Sequence, residues 1–378
     1  MPLVRLLVAL VLLSGAAKAD GLTVVSEGAY GPEGSHVFIV HSAGLGRDFK
    51  VVVSAPSGPL VAAGRKLPAI YALDGGRDIA GPVGQYMSWS VSMSPAYVVE
   101  IGYPEKGGDT AARWRNTDLL FRPTDVEGQV GGGGAAAFQA FLTDELRPLL
   151  EARYPLDPKA AVLFGHSFGA LFAANVLARA PASYASYIIA SPSVWADPSV
   201  PAALAAAAPR LGAVKVFLAV GGAEEPRMAT GVDQIAAALA APGSAAKVER
   251  RTFAGQTHGG YYPELVPQAY AWVLPLSASR TQARTAITLT AQDLQRVAGV
   301  YDLGDGRKIT VTVEAGQLFA EMTGSPGGQM LAESHDRFFA SAGGGFDITL
   351  TFEGPPDAPP TAAVLSINGA ESRATRAR

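Results

Sequence analysis

One short run in this chain has residue types and spacing suited to acyl chemistry: Gly165-His166-Ser167-Phe168-Gly169. An apolar stretch, Ala161–Phe164, leads into it, and small residues from Ala170 to Ala180 follow. A Gly-x-Ser-x-Gly run between a buried strand and a helix is the setting in which a serine sits on a sharp turn with its hydroxyl exposed. Glycines at 165 and 169 remove side chains that the turn would not admit. The chain has 43 glycines, so the bare pattern also fits an ordinary glycine-rich strand-to-helix turn; the flanks favour the first reading.

A serine hydroxyl is a poor nucleophile at neutral pH and needs a base within reach and a group to orient that base. The histidines are His36, His41, His166, His258 and His335. His166 adjoins the serine, and its ring is expected to point away from the hydroxyl. His36 and His41 flank the first strand, and His335 lies in a separate C-terminal region. His258 remains, in the loop Ala254–Gly260 between a strand and a helix. Where nucleophile, acid and histidine follow one another along the chain, the acid belongs after the strand Val214–Val220. Gly221-Gly222-Ala223-Glu224-Glu225 stands there, with Glu224 the first choice and Glu225 the alternative. Asp233 reads instead as a charge near a helix start. Two backbone N–H groups are needed for a developing oxyanion. Phe168 is expected to supply one and Gly75 or Gly76, after the strand Ala69–Leu73, the other; Asp74-Gly75 also reads as a plain turn.

The elements that must hold these residues follow from periodicity. Val37–Val40, Phe49–Ser54, Ala69–Leu73, Tyr97–Ile101, Ala161–Phe164, Tyr187–Ala190, Val214–Val220 and Val248–Phe253 read as eight strands, the first two an antiparallel edge. Helical patterns separate the later ones. The longest, about 135–153, carries an apolar face of Phe138, Phe141, Leu142, Leu146, Leu149 and Leu150, with Pro148 expected to bend or shorten it. A last helix is expected near 264–274, and Lys106–Asp125 reads as a long polar connection. The fold class is α/β, a mostly parallel eight-stranded sheet flanked by helices. After Pro275 a polar stretch leads to short alternating segments with glycine turns. Six strands are expected there, in an antiparallel open barrel or sandwich. The expected division is a leader at 1–19, an α/β domain at 20–276, a linker at 277–288 and a β domain at 289–378.

Met1–Arg5, the apolar Leu6–Leu13 and Ala17-Lys18-Ala19 have the layout of a secretory signal peptide cut before Asp20, too short to span a bilayer. Export to the periplasm or the medium is expected. No later apolar run is long enough to cross a membrane. Hydrophobic residues make up 48% of the chain and charged residues 17%, which is enough for a large core. The net charge of −3 gives no basic surplus for nucleic acid. Absence of cysteine excludes a thiol nucleophile and thiolate metal sites, and no His/Asp/Glu spacing suggests zinc or calcium. Neither metal nor cofactor is expected.

Several of these stretches together resemble the putative-esterase family of α/β-hydrolases, which includes enterochelin (siderophore) esterases. They are Leu73-Asp74-Gly75, Arg115-x-x-Asp118 with Arg122-Pro123, the Gly165–Gly169 run, and Ser191-Pro192-Ser193-Val194-Trp195. The resemblance spans about 35–275. It departs at Ala170, where a glycine is often found, and after Arg115, where the usual Asp-Tyr-Thr-Pro wording is missing. It implies an α/β-hydrolase fold and ester hydrolysis by a Ser167–His258–Glu224 set, with a small-molecule ester as substrate. Arg115 and Trp195 are candidate substrate contacts. Trp195, Trp114 and Trp89 are read as lining an aromatic pocket or as packing. The C-terminal region is similar to small β domains appended to secreted serine hydrolases. Three functions are compatible: a serine esterase, an acyltransferase using the same residues, and a non-catalytic binder on a hydrolase scaffold.

Overall fold

The computed structural model describes residues 21–58, 61, 65–74, 79–90, 92–104, 109–126, 129–276, 284–340, 347–367 and 369–377. The expected leader and most of the expected linker lie outside them. The first strands are β1 (Leu22–Ala29), β2 (Ser35–Ser42), β3 (Arg47–Ser54), β4 (Ala69–Leu73) and β5 (Tyr97–Gly102). A two-stranded ribbon, β6 (Thr124–Val126) and β7 (Gln129–Gly131), stands apart. Strands β8 (Val162–His166), β9 (Ser186–Ala190), β10 (Lys215–Gly221) and β11 (Lys247–Phe253) complete the main sheet. Its order is β1-β2-β3-β5-β4-β8-β9-β10-β11. Pairing is antiparallel from β1 to β5 and parallel from β5 to β11.

The sheet therefore has nine strands rather than the eight expected. The extra strand is β1, whose Ser26-Glu27-Gly28 interrupts any apolar alternation and whose side chains are mostly exposed. It is specified by pairing with β2 rather than by its own pattern.

Parallel strands with both faces covered read as unbroken apolar runs, and β4 and β8 are buried at every position. Alternate residues serve two cores. Tyr71, Leu73 and Leu163 face α3 (Ala135–Ala140), α5 (Phe168–Arg179), α6 (Val200–Ala207) and α7 (Pro226–Leu239). Ile70, Ala72 and Phe164 face α1 (Ala80–Trp89) and α8 (Tyr262–Val273). Full burial of one such leucine or phenylalanine contributes about 1.5–3 kcal/mol. The alanines of α5 are buried from Ala170 to Ala178, so its backbone lies close to the sheet.

Two further expectations change. The long helix is interrupted: α3 runs into a π-helical turn, Phe141–Leu146, and then α4 (Arg147–Arg153). Pro148 sits in the first turn of α4. There its missing N–H costs least, and the widened turn before it makes room for the ring. The polar connection after β5 contains a helix, α2 (Asp109–Leu119), whose low hydrophobicity hid it.

The C-terminal segment forms a closed barrel of eight strands, not an open barrel or sandwich. These are β12 (Gly299–Asp302), β13 (Lys308–Glu314), β14 (Gln317–Met322), β15 (Gly328–Ala332), β16 (Arg337–Ala340), β17 (Ile348–Glu353), β18 (Ala362–Ile367) and β19 (Ala370–Arg376). A short helix, α9 (Ala291–Val297), precedes them behind a Thr290/Asp293 capping box. Strands β15 and β19 were the two unforeseen ones; pairing of β12 with β19 closes the ring and removes the sheet edges. Arg284 is held by Glu333 and Asp347, and Ile287 bridges to Ala332. Residues 284–288, expected as linker, are thus attached to the barrel.

Candidate active site

Parallel strands deliver their C-terminal loops to one edge of a sheet, where α/β folds carry ligands. Here Asp74 directly follows β4, Ser167 directly follows β8, β10 ends at Gly221, and β11 ends just before the His258 loop. Ser167 has φ 62° and ψ −119°, between the last residue of β8 and the first of α5. A non-glycine residue at positive φ costs on the order of 1–3 kcal/mol and persists only when its surroundings fix it. The fixing groups are visible. Ser167 N–H donates to Ala190 O at 2.9 Å, and its carbonyl accepts from Leu171 N–H at 3.0 Å and Ser193 N–H at 3.3 Å. A Cβ on Gly165 would stand 2.0 Å from the Gly169 carbonyl oxygen, so that glycine is a steric requirement. A Cβ on Gly169 would have as its nearest neighbours outside its own helix Leu73 and Asp74, at 3.5 Å, an ordinary contact.

Glu224 and His258 meet at the far side of this edge. His258 Nδ1 lies 2.5 Å from Glu224 Oε2. The other carboxylate oxygen accepts from Gly221 N–H at 2.6 Å and from Ser191 Oγ at 2.5 Å. The Glu224 side chain is 2% exposed. Burial pushes its carboxyl pKa up, but the hydrogen bonds from His258, Ser191 and Gly221 outweigh burial and hold it below the usual carboxylate value. An ionised carboxylate can only accept, so His258 Nδ1 carries the proton, and the neutral ring presents Nε2 as an acceptor. Glu225, the alternative acid, is two-thirds exposed and pairs with Arg227 at 2.6 Å. Asp233 pairs with Arg250.

Backbone bonds tie the acid and histidine loops together: Gly222 N–H to Phe253 O at 2.7 Å and Ala223 N–H to Gln256 O at 2.9 Å. A Cβ on Gly221 would lie 2.4 Å from Gln256 O, so β10 must end in glycine for the loops to approach this closely.

Ser167, Glu224 and His258 line one cavity of about 440 Å³, with Phe168, Ser193, Trp195, Ala223, Glu225, Arg227 and Met228. Among the described residues the Ser167 hydroxyl bonds to Ser193 Oγ, at 3.3 Å, and no bond to the His258 ring is formed. Such bonds are commonly loose without substrate and tighten when the reacting group binds. Phe168 is the first residue of α5, so its N–H is one of the helix's unpaired N-terminal donors. Trp195 is about one-third exposed, 5.7 Å from the Phe168 ring, with the Arg227 guanidinium 4.9 Å from its own ring.

Two expectations are resolved differently. Arg115 does not line this cavity; its guanidinium grips both oxygens of Asp74 at 2.7 and 2.8 Å. Trp89 is exposed beside Tyr86, and Trp114 stacks on Arg47, so of the three tryptophans only Trp195 reaches the site. Gly75 and Gly76 lie outside the described residues.

Reading by residue type passed over four contributors. His166 Nε2 contacts the His258 carbonyl oxygen at 2.6 Å, its ring 4.5 Å from the His258 ring, so it supports the histidine loop. Ser191 is fully buried at φ 46° and also contacts Tyr261 Oη at 2.5 Å. Ser193 holds the Ser167 hydroxyl. Ser191 and Ser193 lay in a quoted motif, which was the available signal; Tyr261 carried none.

Comparison with known proteins identifies the family. Residues 42–272 match the model of the family described as "Putative esterase". The ferri-bacillibactin esterase BesA of Bacillus subtilis is 31% identical over 184 residues, 44% of this chain and 61% of the relative. The siderophore triacetylfusarinine C esterase of Aspergillus fumigatus is 42% identical over 99 residues, 26% of this chain and 33% of the relative. The chain thus spans less than two thirds of the length of these curated relatives. In fold it is similar to the BES protein from Bacillus cereus, with TM-score 0.58, 24% identity, and coverage of 67% of this chain and 99% of that one. Siderophore hydrolase EstA from Aspergillus nidulans gives TM-score 0.56 at 23% identity, covering 66% and 99%. With its sheet order, its serine turn and a family match across most of the α/β region, the chain belongs to the putative-esterase family of α/β-hydrolases.

Proposed function

We propose that this protein is a serine esterase that cleaves small-molecule carboxylic esters, with siderophore-type esters as its substrate class. The observation that carries this reading is the buried Glu224 carboxylate on His258 Nδ1 in the cavity that holds Ser167. Relatives named as siderophore esterases support the substrate class.

Substrate entering the cavity displaces the Ser167–Ser193 bond and turns the hydroxyl toward His258 Nε2. Ser167 Oγ attacks the ester carbon while Nε2 takes its proton. The carbonyl oxygen becomes an oxyanion, held by Phe168 N–H at the positive end of α5 and by a second N–H assigned to Gly75. The imidazolium, stabilised by Glu224, gives its proton to the leaving alcohol. Water then attacks the acyl carbon while His258 accepts its proton; the bond to Ser167 Oγ breaks, Oγ takes the proton back from His258, and the acid leaves.

The test is hydrolysis of a p-nitrophenyl ester and labelling by a fluorophosphonate. Wild type should do both, and Ser167→Ala neither, with unchanged thermal unfolding. Full turnover by Ser167→Ala overturns the assignment. Product analysis with an alcohol or sugar acceptor separates hydrolysis from acyl transfer. The N-terminal layout supports export, and a mature chain beginning at Asp20 is the expected product of secretion.

A further inference from the structure

Helix α2 carries Arg115 and Asp118 three residues apart, on one face. Each ends on a different strand terminus of the sheet edge that holds Ser167. Arg115 Nε and Nη2 donate to Asp74 Oδ1 and Oδ2. Asp118 is completely buried, accepts from Tyr103 Oη at 2.8 Å and pairs with Arg47. Tyr103 directly follows β5, and Arg47 begins β3. A polar helix is thereby fastened to β3, β4 and β5 at once.

Asp74, directly after β4, has φ 60°, another strained non-glycine position like Ser167 and Ser191. A two-pronged guanidinium–carboxylate contact fixes orientation as well as distance. The same guanidinium lies 5.3 Å from the Phe168 ring centre. Phe168 is buried and supplies the first N–H of α5. Arg115 is three-quarters buried and Asp74 nearly nine-tenths, so the pair is shielded from solvent competition.

From this we infer that Arg115 is a positioning residue. Through Asp74 and the face of Phe168, it fixes the end of β4 against the start of α5. These are the two places from which oxyanion donors come in the reading above, on which this inference rests. Arg115 then acts on the transition state without touching substrate.

The experiment is a double-mutant cycle on kcat and KM for a p-nitrophenyl ester, using Arg115→Gln, Asp74→Asn and the pair. Loss of one oxyanion donor costs about 10²–10³ in kcat, which sets the ceiling for misplacing one. Each single variant should lose about 10–100-fold in kcat, with KM within about threefold. The double variant should be within about twofold of the worse single one, because both changes break one contact. Arg115→Lys, which keeps the charge and loses the fork, should remain impaired. A readout independent of turnover is amide hydrogen exchange in a peptide covering residues 162–172, which should quicken in both single variants. Multiplying kcat losses, a change confined to KM, or unaltered exchange would each overturn the inference. Failure of wild type itself to react with the fluorophosphonate would instead remove the esterase reading, and the exchange result would still decide whether Arg115 fixes this edge.

Discussion

Replacing Glu224 by glutamine separates the roles of the two adjacent glutamates. The glutamine side chain has the same shape but can lie in only two ways. If its NH₂ faces His258, Nδ1 must accept, the ring proton moves to Nε2, and the ring cannot take the Ser167 proton. That wrong tautomer costs about 10⁴ in kcat, about 5 kcal/mol of barrier. If its oxygen faces His258, the NH₂ confronts Gly221 N–H, which now bonds to Oε1 at 2.6 Å. A buried donor left unpaired costs about 1–3 kcal/mol, roughly a 5–150-fold loss of the productive orientation. The expected fall therefore runs from about 5–150-fold, where the oxygen-inward orientation is kept, up to about 10⁴ in kcat, with KM little changed. Glu225→Gln removes only a surface contact to Arg227, worth about 0–1 kcal/mol, and should leave kcat within about threefold. The assay is steady-state hydrolysis of a p-nitrophenyl ester, with thermal unfolding as a check on folding. Glu224→Gln within about threefold of wild type, or an equal loss in Glu225→Gln, refutes the reasoning. Stability gives a second reading. A carboxyl held below its usual pKa adds stability above its unfolded value, about pH 4, and loses it as pH falls through the folded value. The stability advantage of wild type over Glu224→Gln should shrink on acidification.

Other variants probe the supports. Gly165→Ala places a Cβ 2.0 Å from a backbone oxygen that cannot swing aside, so it should lower stability by about 3 kcal/mol or more and abolish fluorophosphonate labelling. Tyr261→Phe removes the hydroxyl that meets Ser191 behind Glu224; kcat should fall by about 3–10-fold at constant KM, whereas no change would make Tyr261 a packing residue only. Burial raises the Asp118 carboxyl to about 6, against the lowering pull of Arg47 and Tyr103. The folded state then binds more protons than the unfolded between about pH 4 and 6, so stability should fall as pH rises through that window. The shift corresponds to at most about 3 kcal/mol. Asp118→Asn should flatten that slope in urea unfolding measured at several pH values; an unchanged slope assigns it to other groups.

What could be read from the sequence followed from local rules. Strand β4 and the first three residues of β8, 162–164, announce themselves because both faces are covered and no charged residue interrupts the run. The serine turn is specified by residues within five positions of one another, and chain order led from it to Glu224 and His258. Choosing Glu224 over Glu225 needed a partner: the two share type and neighbourhood, and only the course of the His258 loop separates a buried carboxylate from an exposed one. Helix α2 shows the same limit from the other side. Its Arg115 and Asp118 face counter-charged or hydroxyl groups on other elements, so amphipathic periodicity, which detects burial against carbon, finds nothing. Arg115 and Asp118 are recognisable as a pair only once β3, β4 and β5 end beside them. Strand β1 and the closing strand β19 are likewise specified by the edges they cover. The nucleophile lies in a local pattern, whereas the groups that hold its surroundings in place lie in distant pairings; substitutions at Arg115, Asp118 or Tyr261 should therefore change turnover although none of them lies in the serine motif.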